Sequence, residues 1–311
     1  MSKNELDYSG QYIGDYTIMA QREVRQDVVI FAAQEQRQQT PASFFLATGE
    51  TEADRFKRQM ALLAQLDHPG IPQVLQSGVT AQKQPYAIVA DIAGTTLAER
   101  LTSGESFSPL AALGLARQLA EILRVLHPAG IIHQDLRPEQ ILLGEDGGAR
   151  LLYLGLMGEK RPFNPHNPTL DYAAPEQQAG QPASSQSNIY SLGVILYHLL
   201  AGEAPPLAQS QWDVFHQDDP HLPLPLNEQK PGLTAETYAV VKTCLYFQEW
   251  GRYETAGKLL EALDRALAAE QWALDTPPGW FAQLSRRQLY LGIGLVIFLL
   301  LLIGGLFFWL N

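Results

Sequence analysis

Residues 289–310 read LYLGIGLVIFLLLLIGGLFFWL, 22 positions without one charge. Wound as a helix at 1.5 Å per residue, the run reaches ~33 Å, enough for a bilayer core of about 30 Å. It has no polar face, so a helix buried in a soluble core is the weaker explanation. Tyr290 and Trp309 stand near its two ends, where interfacial aromatics belong, and Arg286 and Arg287 lie on its N-terminal side. The positive-inside rule then places the bulk of the chain in the cytoplasm. Only Asn311 follows, which makes the run a tail anchor as an expectation. The start, MSKNELDYSGQYIGDY, has no apolar stretch and no small-residue cleavage site, so no signal peptide is expected there.

The remainder has globular composition, 46% hydrophobic and 18% charged. A formal net charge of -11, with no basic run longer than Arg286-Arg287, argues against a nucleic-acid partner. Cys244 is the single cysteine, so an intramolecular disulfide is excluded. The seven histidines are scattered, and no zinc-type ligand spacing occurs; no metal site is expected.

The apolar runs YTIM, VVIFAA and ASFFLAT predict strands in residues 12–48. Thr51 is expected to open a helix, with Asp54 in the capping-box position and Phe56, Met60, Leu63 and Leu66 at helical spacing. Two more strands are expected near IPQVLQSG and PYAIVAD. After Gly94 the pattern turns helical, with helices over 109–127, 187–201 and 254–270; the second is apolar all round and so buried. Residues 205–231 are rich in Pro, Gln and Asp and read as loop.

Four segments resemble protein kinases of the serine/threonine type. Residues 131–143, IIHQDLRPEQILL, resemble the H-R-D-L-K-P-E-N catalytic loop. DYAAPEQ at 171–177 resembles the A-P-E motif, SNIYSLGVILYHLLAG at 187–202 the helix that supports the catalytic loop, and His68-Pro69-Gly70-Ile71 the corner after the first large helix. The resemblance implies an α+β, two-lobe kinase-like domain over 13–270, with a small β-rich lobe to about residue 93 and a helical lobe from about 94. A juxtamembrane linker over 271–288 and a transmembrane helix over 289–310 follow.

The resemblance also assigns roles. His133 is the loop histidine packed in the core, Glu176 the A-P-E carboxylate, and Arg252 its late-helix partner. Asn188 replaces the aspartate that caps the catalytic loop, and can still accept backbone N–H bonds without a charge. Asp135 matches the residue that orients a substrate hydroxyl, Arg137 a phosphate-contacting lysine, and Thr169 the threonine before A-P-E that touches the aspartate.

The nucleotide contacts are where the pattern departs. Phosphoryl transfer relies on a strand lysine, a helix glutamate, a Gly-rich loop and two metal ligands. No lysine occurs between Asn4 and Phe56, so the strand position falls on an apolar residue, Phe44, Phe45 or Leu46, with Phe45 favoured. No glycine occurs from Asp15 to Thr48, and the loop segment is EVRQDV, Glu23 to Val28. The glutamate position, nine residues before His68, is Gln59. The second metal ligand is Gln140. Tyr153-Leu154-Gly155 stands for D-F-G, and no aspartate occurs between Gly147 and Leu170. Gln134 replaces the arginine that in many kinases reads an activation-loop phosphate, so such phosphorylation is not expected to act through it.

The leading expectation is a pseudokinase, a non-catalytic scaffold or allosteric module that meets protein partners at a membrane, with the lipid bilayer as its other contact and no cofactor. An active serine/threonine kinase using Asp135 is the alternative. It needs ATP and magnesium, and a substitute lysine and carboxylate, for which Lys57 and Glu159 are the nearest candidates. A third reading is nucleotide binding without transfer, with a hinge near Asp91 to Ala93 holding the adenine.

Overall fold

The computed structural model describes residues 7–25, 28–48, 50–152, 172–205, 226, 230 and 232–276. The apolar run 289–310 lies outside them, as do Tyr153, Glu159 and Thr169. Among the described residues no helix is long and apolar enough to cross a membrane.

Six antiparallel strands build the small lobe: β1 (Tyr12–Ile13), β2 (Tyr16–Arg25), β3 (Val28–Glu35), β4 (Pro41–Ala47), β5 (Val74–Val79) and β6 (Pro85–Ala90). Their order in the sheet is β1-β2-β3-β4-β6-β5. The helix α1 (Glu50–Leu63) follows β4. It begins earlier than its cap signal suggested, so Thr51 lies inside the first turn.

Side chains alternate across a strand, and β4 uses both faces. Phe45 and Ala47 join a cluster with Phe56, Met60 and Leu63 of α1. Phe44 and Leu46 join a second cluster on the opposite face, which includes Tyr8, Phe31 and Tyr86. The Phe44 ring lies 5.7 Å from that of Tyr8 and 5.5 Å from that of Tyr86. Strand β4 therefore reads as continuous apolar sequence because both faces are covered.

β2 is irregular. Gln21 pairs with Phe31 and Glu23 with Ile30, so Arg22 is an extra residue opposite a single step of β3. Such a bulge re-aims the inserted side chain.

A short link crosses to the large lobe at Gly94. Its φ is 157°, and a Cβ at this position would lie 2.5 Å from the Leu143 carbonyl oxygen, so only glycine fits. There follow β7 (Thr95–Thr96), α2 (Leu97–Thr102) and α3 (Pro109–Leu126), then β8 (Ile141–Leu143) and β9 (Ala149–Leu151), which pair as β7-β8-β9. Ser108 caps α3, its hydroxyl accepting the Ala111 N–H at 3.2 Å. The last helices are α4 (Pro175–Gln178), α5 (Ser185–Ala201), α6 (Ala235–Cys244) and α7 (Ala256–Asp275).

Helix α5 is the centre of this lobe. It starts at Ser185 because Ser184 and Ser187 exchange hydrogen bonds in a capping box, and it stops at Gly202 with φ 93°. Helix α7 runs past the expected residue 270 to Asp275. Its final turns are exposed, including Trp272 and Leu274, so the buried stripe ends before the helix does.

Gly193 lets α5 approach α6. A Cβ there would lie 2.4 Å from the Cys244 Cβ, an atom fixed to its own helix. Gly193→Ala is therefore expected to destabilise the fold by about 1–3 kcal/mol through overpacking. A denaturant midpoint equal to wild type would show that the two helices can part at no cost. Cys244 is buried, and burial pushes its thiol pKa up, so it behaves as a packing residue.

Candidate active site

The catalytic-loop segment is held by its own histidine and by α5. Ile131 and Leu136 are buried and fix the loop on the core. His133 is 3% exposed; its Nδ1 accepts the Asp135 backbone N–H at 3.2 Å, and its Nε2 lies 3.3 Å from the Leu152 carbonyl. Those two partners require the proton on Nε2. Asn188 takes both backbone groups of His133. Its Oδ1 accepts the N–H at 3.0 Å and its Nδ2 donates to the carbonyl at 2.6 Å. The amide thus makes a donor contact that an aspartate could not. His127 Nε2 also reaches Asn188 Oδ1, at 3.2 Å. Burial lowers the His127 pKa, partly opposed by that bond, so the ring stays neutral at neutral pH.

Asp135 and Arg137 face one another. Arg137 Nε donates to Asp135 Oδ2 at 2.9 Å, and Arg137 Nη1 lies 3.5 Å from Glu139. The guanidinium expected to meet phosphate is engaged with two carboxylates. Gln134 serves as a structural link: its Nε2 donates to the Ile132 carbonyl, and its own carbonyl accepts from Gln177 Nε2 at 2.9 Å.

The base of the lobe is tied by Glu176 and Arg252. The guanidinium grips both carboxylate oxygens at 2.7 and 2.8 Å and also donates to the carbonyls of Tyr246, Phe247 and Gln186. Burial works to raise the Glu176 pKa, but Arg252 and the Ser187 hydroxyl outweigh it and hold the carboxyl below the usual range.

Above the loop, the cleft between sheet and large lobe is apolar. Phe45 is 3% exposed and, with Met60, Leu63, Val74, Val89 and Leu152, walls a cavity of about 120 Å³. Of the three candidate positions on the strand, Phe45 faces this cavity, whereas Phe44 and Leu46 face the other side of the sheet. Gln59 precedes Met60 on α1, and its Oε1 is buried without a hydrogen-bond partner among the described residues. Gln140 is 3% exposed and its Oε1 is likewise unpartnered, while its backbone carbonyl accepts the Leu152 N–H at 2.8 Å. Lys57, the substitute cation, is exposed on α1 and 3.5 Å from Asp54. It does not line the cavity.

Of the two hinge positions, Asp91 borders this cavity. Ala93 does not; with Asp91, Pro69, Gly144 and Arg150 it lines an adjoining open groove. Asp91 has partners that the sequence did not signal. Arg22 forks its carboxylate at 3.0 and 2.7 Å, and Ser43 Oγ donates to Oδ1 at 2.9 Å while accepting from Arg22 Nη1 at 2.9 Å. The pairing joins residues 69 apart and depends on the β2 bulge, which no local pattern announces.

These residues do not fit a magnesium triphosphate. Phosphate binding needs cations or bared backbone N–H groups, and magnesium needs carboxylate oxygens. Among the described residues lining the cavity, Asp91 is the single ionisable one, and Arg22 already neutralises it.

The family described as the protein kinase domain matches residues 29–257. This chain belongs to the protein kinase domain family. Among its relatives is a probable serine/threonine-protein kinase PknB of Corynebacterium glutamicum, 28% identical over 71% of this chain and 36% of the relative. The serine/threonine-protein kinases PknB of Mycobacterium leprae and Mycobacterium tuberculosis are 28% and 29% identical over 68% of this chain and 35% of their own length. The match thus spans little more than a third of these relatives. The protein kinase fold, with its β-rich small lobe and helical large lobe, accounts for the sheet order, the loop at His133 and the tie between Glu176 and Arg252.

Proposed function

We propose that this kinase-family domain is a non-catalytic binding or allosteric module that meets protein partners at a membrane. The observation that carries the reading is Phe45. It is buried among apolar neighbours at the position that the resemblance gives to the phosphate-binding lysine. A base such as Asp135 transfers nothing unless a phosphoryl donor is held beside it. The apolar run 289–310 supports a single-pass anchor that leaves the folded domain in the cytoplasm. Tethering there raises the local concentration of partners on the same membrane.

A second reading, a divergent serine/threonine kinase using Asp135, is the one that the relatives' names favour over the first. The ordered loop at His133, Asp135 and Asn188 also speaks for it.

Two measurements on the full chain in detergent separate the readings. The first is the melting midpoint with ATP, alone and with magnesium or manganese. The second is transfer of labelled phosphate to the protein or to a generic protein substrate. The expected result is no metal-dependent shift and no label. Label that disappears in Asp135→Asn would establish the kinase. A shift of several degrees without label would establish a nucleotide-binding switch.

A further inference from the structure

We infer that the last turn of α7 is a membrane-docking tip, whose Trp272 and Leu274 enter the headgroup layer of a lipid bilayer end-on. The inference rests on the reading above, that residues 289–310 anchor the chain in that bilayer.

The turn is ordered yet uncovered. Upstream, α7 is seated by a buried stripe that runs through Leu259, Leu263 and Ala266 to Glu270. Glu270 is 5% exposed, and its Oε1 accepts the Thr234 N–H at 2.9 Å and the hydroxyls of Thr234 and Thr237 at 2.9 and 2.6 Å. These bonds fix α7 on the start of α6, and so fix the direction in which the helix leaves the lobe. Each of residues 271–275 is then exposed. The helix persists all the same. Gln271 Nε2 donates to the Asp275 carboxylate, at 3.1 and 3.0 Å to its two oxygens, and the Thr276 N–H donates to the Trp272 carbonyl at 2.9 Å. Two large apolar side chains ride on this turn, Trp272 at 69% exposure and Leu274 at 71%. Water is a poor surrounding for both.

Their placement selects the occupant. At 3.6 residues per turn, positions 272 and 274 stand about 200° apart around the helix. A groove on a protein covers one side of a helix, with anchors at i, i+3 and i+4, so it would leave one of the two wet. A lipid interface entered end-on surrounds the turn and covers both. The headgroup layer suits this turn better than the hydrocarbon does. Tryptophan belongs at the interface, whereas Asp275 and the last carbonyls of the helix need water. The turn, QWALD, carries no cation, so zwitterionic lipid suffices. The bilayer is also within reach. Residues 276–288 separate the turn from the apolar run, and fully extended they span at most ~45 Å.

The chain supplies its own reporters in its five tryptophans. Trp309 belongs to the apolar run, and Trp250, 77% exposed, precedes the opposite end of α7. The experiment uses the full chain labelled with 5-fluorotryptophan, one copy per phosphatidylcholine nanodisc, and single Trp→Phe variants assign the fluorine NMR signals. Phosphatidylcholine with a nitroxide on its headgroup then replaces part of the lipid. The expected result is broadening of Trp272 and Trp309 with Trp250 left sharp. Leu274→Glu, at an exposed position, should melt like wild type and lose most of the Trp272 broadening. A Trp272 signal broadened no more than Trp250 overturns the inference, and so does undiminished broadening in Leu274→Glu. A Trp272 signal that the labelled lipid leaves sharp, but that shifts when a second chain is loaded per disc, assigns the tip to another copy and also overturns it. Trp309 separates the two claims. Broadening of Trp309 without Trp272 sinks only the tip, whereas a sharp Trp309 sinks the anchor reading on which it rests.

Discussion

Arg252→Ala is expected to lower the unfolding free energy by about 3–5 kcal/mol, because it strands a part-buried carboxylate. The guanidinium side chain is 0% exposed and that of Glu176 is 15% exposed. Alanine removes both bonds to Glu176 and the donors to three carbonyls, and it ends the contact with the Tyr190 ring, whose centroid lies 4.8 Å from the guanidinium carbon. Arg252→Lys keeps the charge but not the fork, so it should recover only part of the loss. Urea unfolding of the full chain in detergent measures each step. A loss under about 1 kcal/mol for Arg252→Ala would place the pair among ordinary surface ion pairs.

The same pair sets a pH dependence. The folded Glu176 pKa is depressed, so its contribution is fully present above the unfolded value of about 4.3 and is lost as pH falls through the folded value. The melting midpoint of wild type should therefore fall more steeply below about pH 4.3 than that of Glu176→Gln. Parallel curves would assign acid sensitivity to other carboxylates.

This tie was legible in the sequence because both residues sit in recognisable motifs, and so was α5, whose apolar run has no solvent face. The helix ends were less legible. Thr51 looked like a cap, yet α1 begins at Glu50. The end of α7 is exposed, Trp272 and Leu274 included, so no buried stripe marked its last turns. Tyr8 lies in a polar stretch that promised nothing, and it is 2% exposed against Phe31 and Phe44. In the site, an apolar residue facing the cavity from β4 was legible from the absence of any lysine between Asn4 and Phe56. Arg22, Ser43 and Asp91 were not, because their contact needs a sheet, a bulge and a hinge together. Arg137 matched a phosphate contact by type, whereas its partners, Asp135 and Glu139, depend on the turn of the loop.

Restoring the family's charges should show what Phe45 is for. Phe45→Lys is expected to cost several kcal/mol, on the order of 3 or more, because an ammonium would replace a ring packed near Phe56 and Met60. Gln59→Glu alone should cost less, since Gln59 is only half-buried. Together the two should be less harmful than the sum of the singles, by about 0.5–3 kcal/mol, if the new charges pair across β4 and α1. Urea unfolding of the four proteins in the cycle gives that coupling. Zero coupling would mean that α1 does not present position 59 to position 45, and the family's assignment of both residues would fail. The double variant is still not expected to bind ATP with magnesium. The segment from Glu23 to Val28 has no glycine to let phosphates approach, and Tyr153 stands where the resemblance puts the D-F-G carboxylate. A metal-dependent ATP shift in the double variant would show that the strand and helix charges were the whole of what separates this chain from a nucleotide-binding kinase.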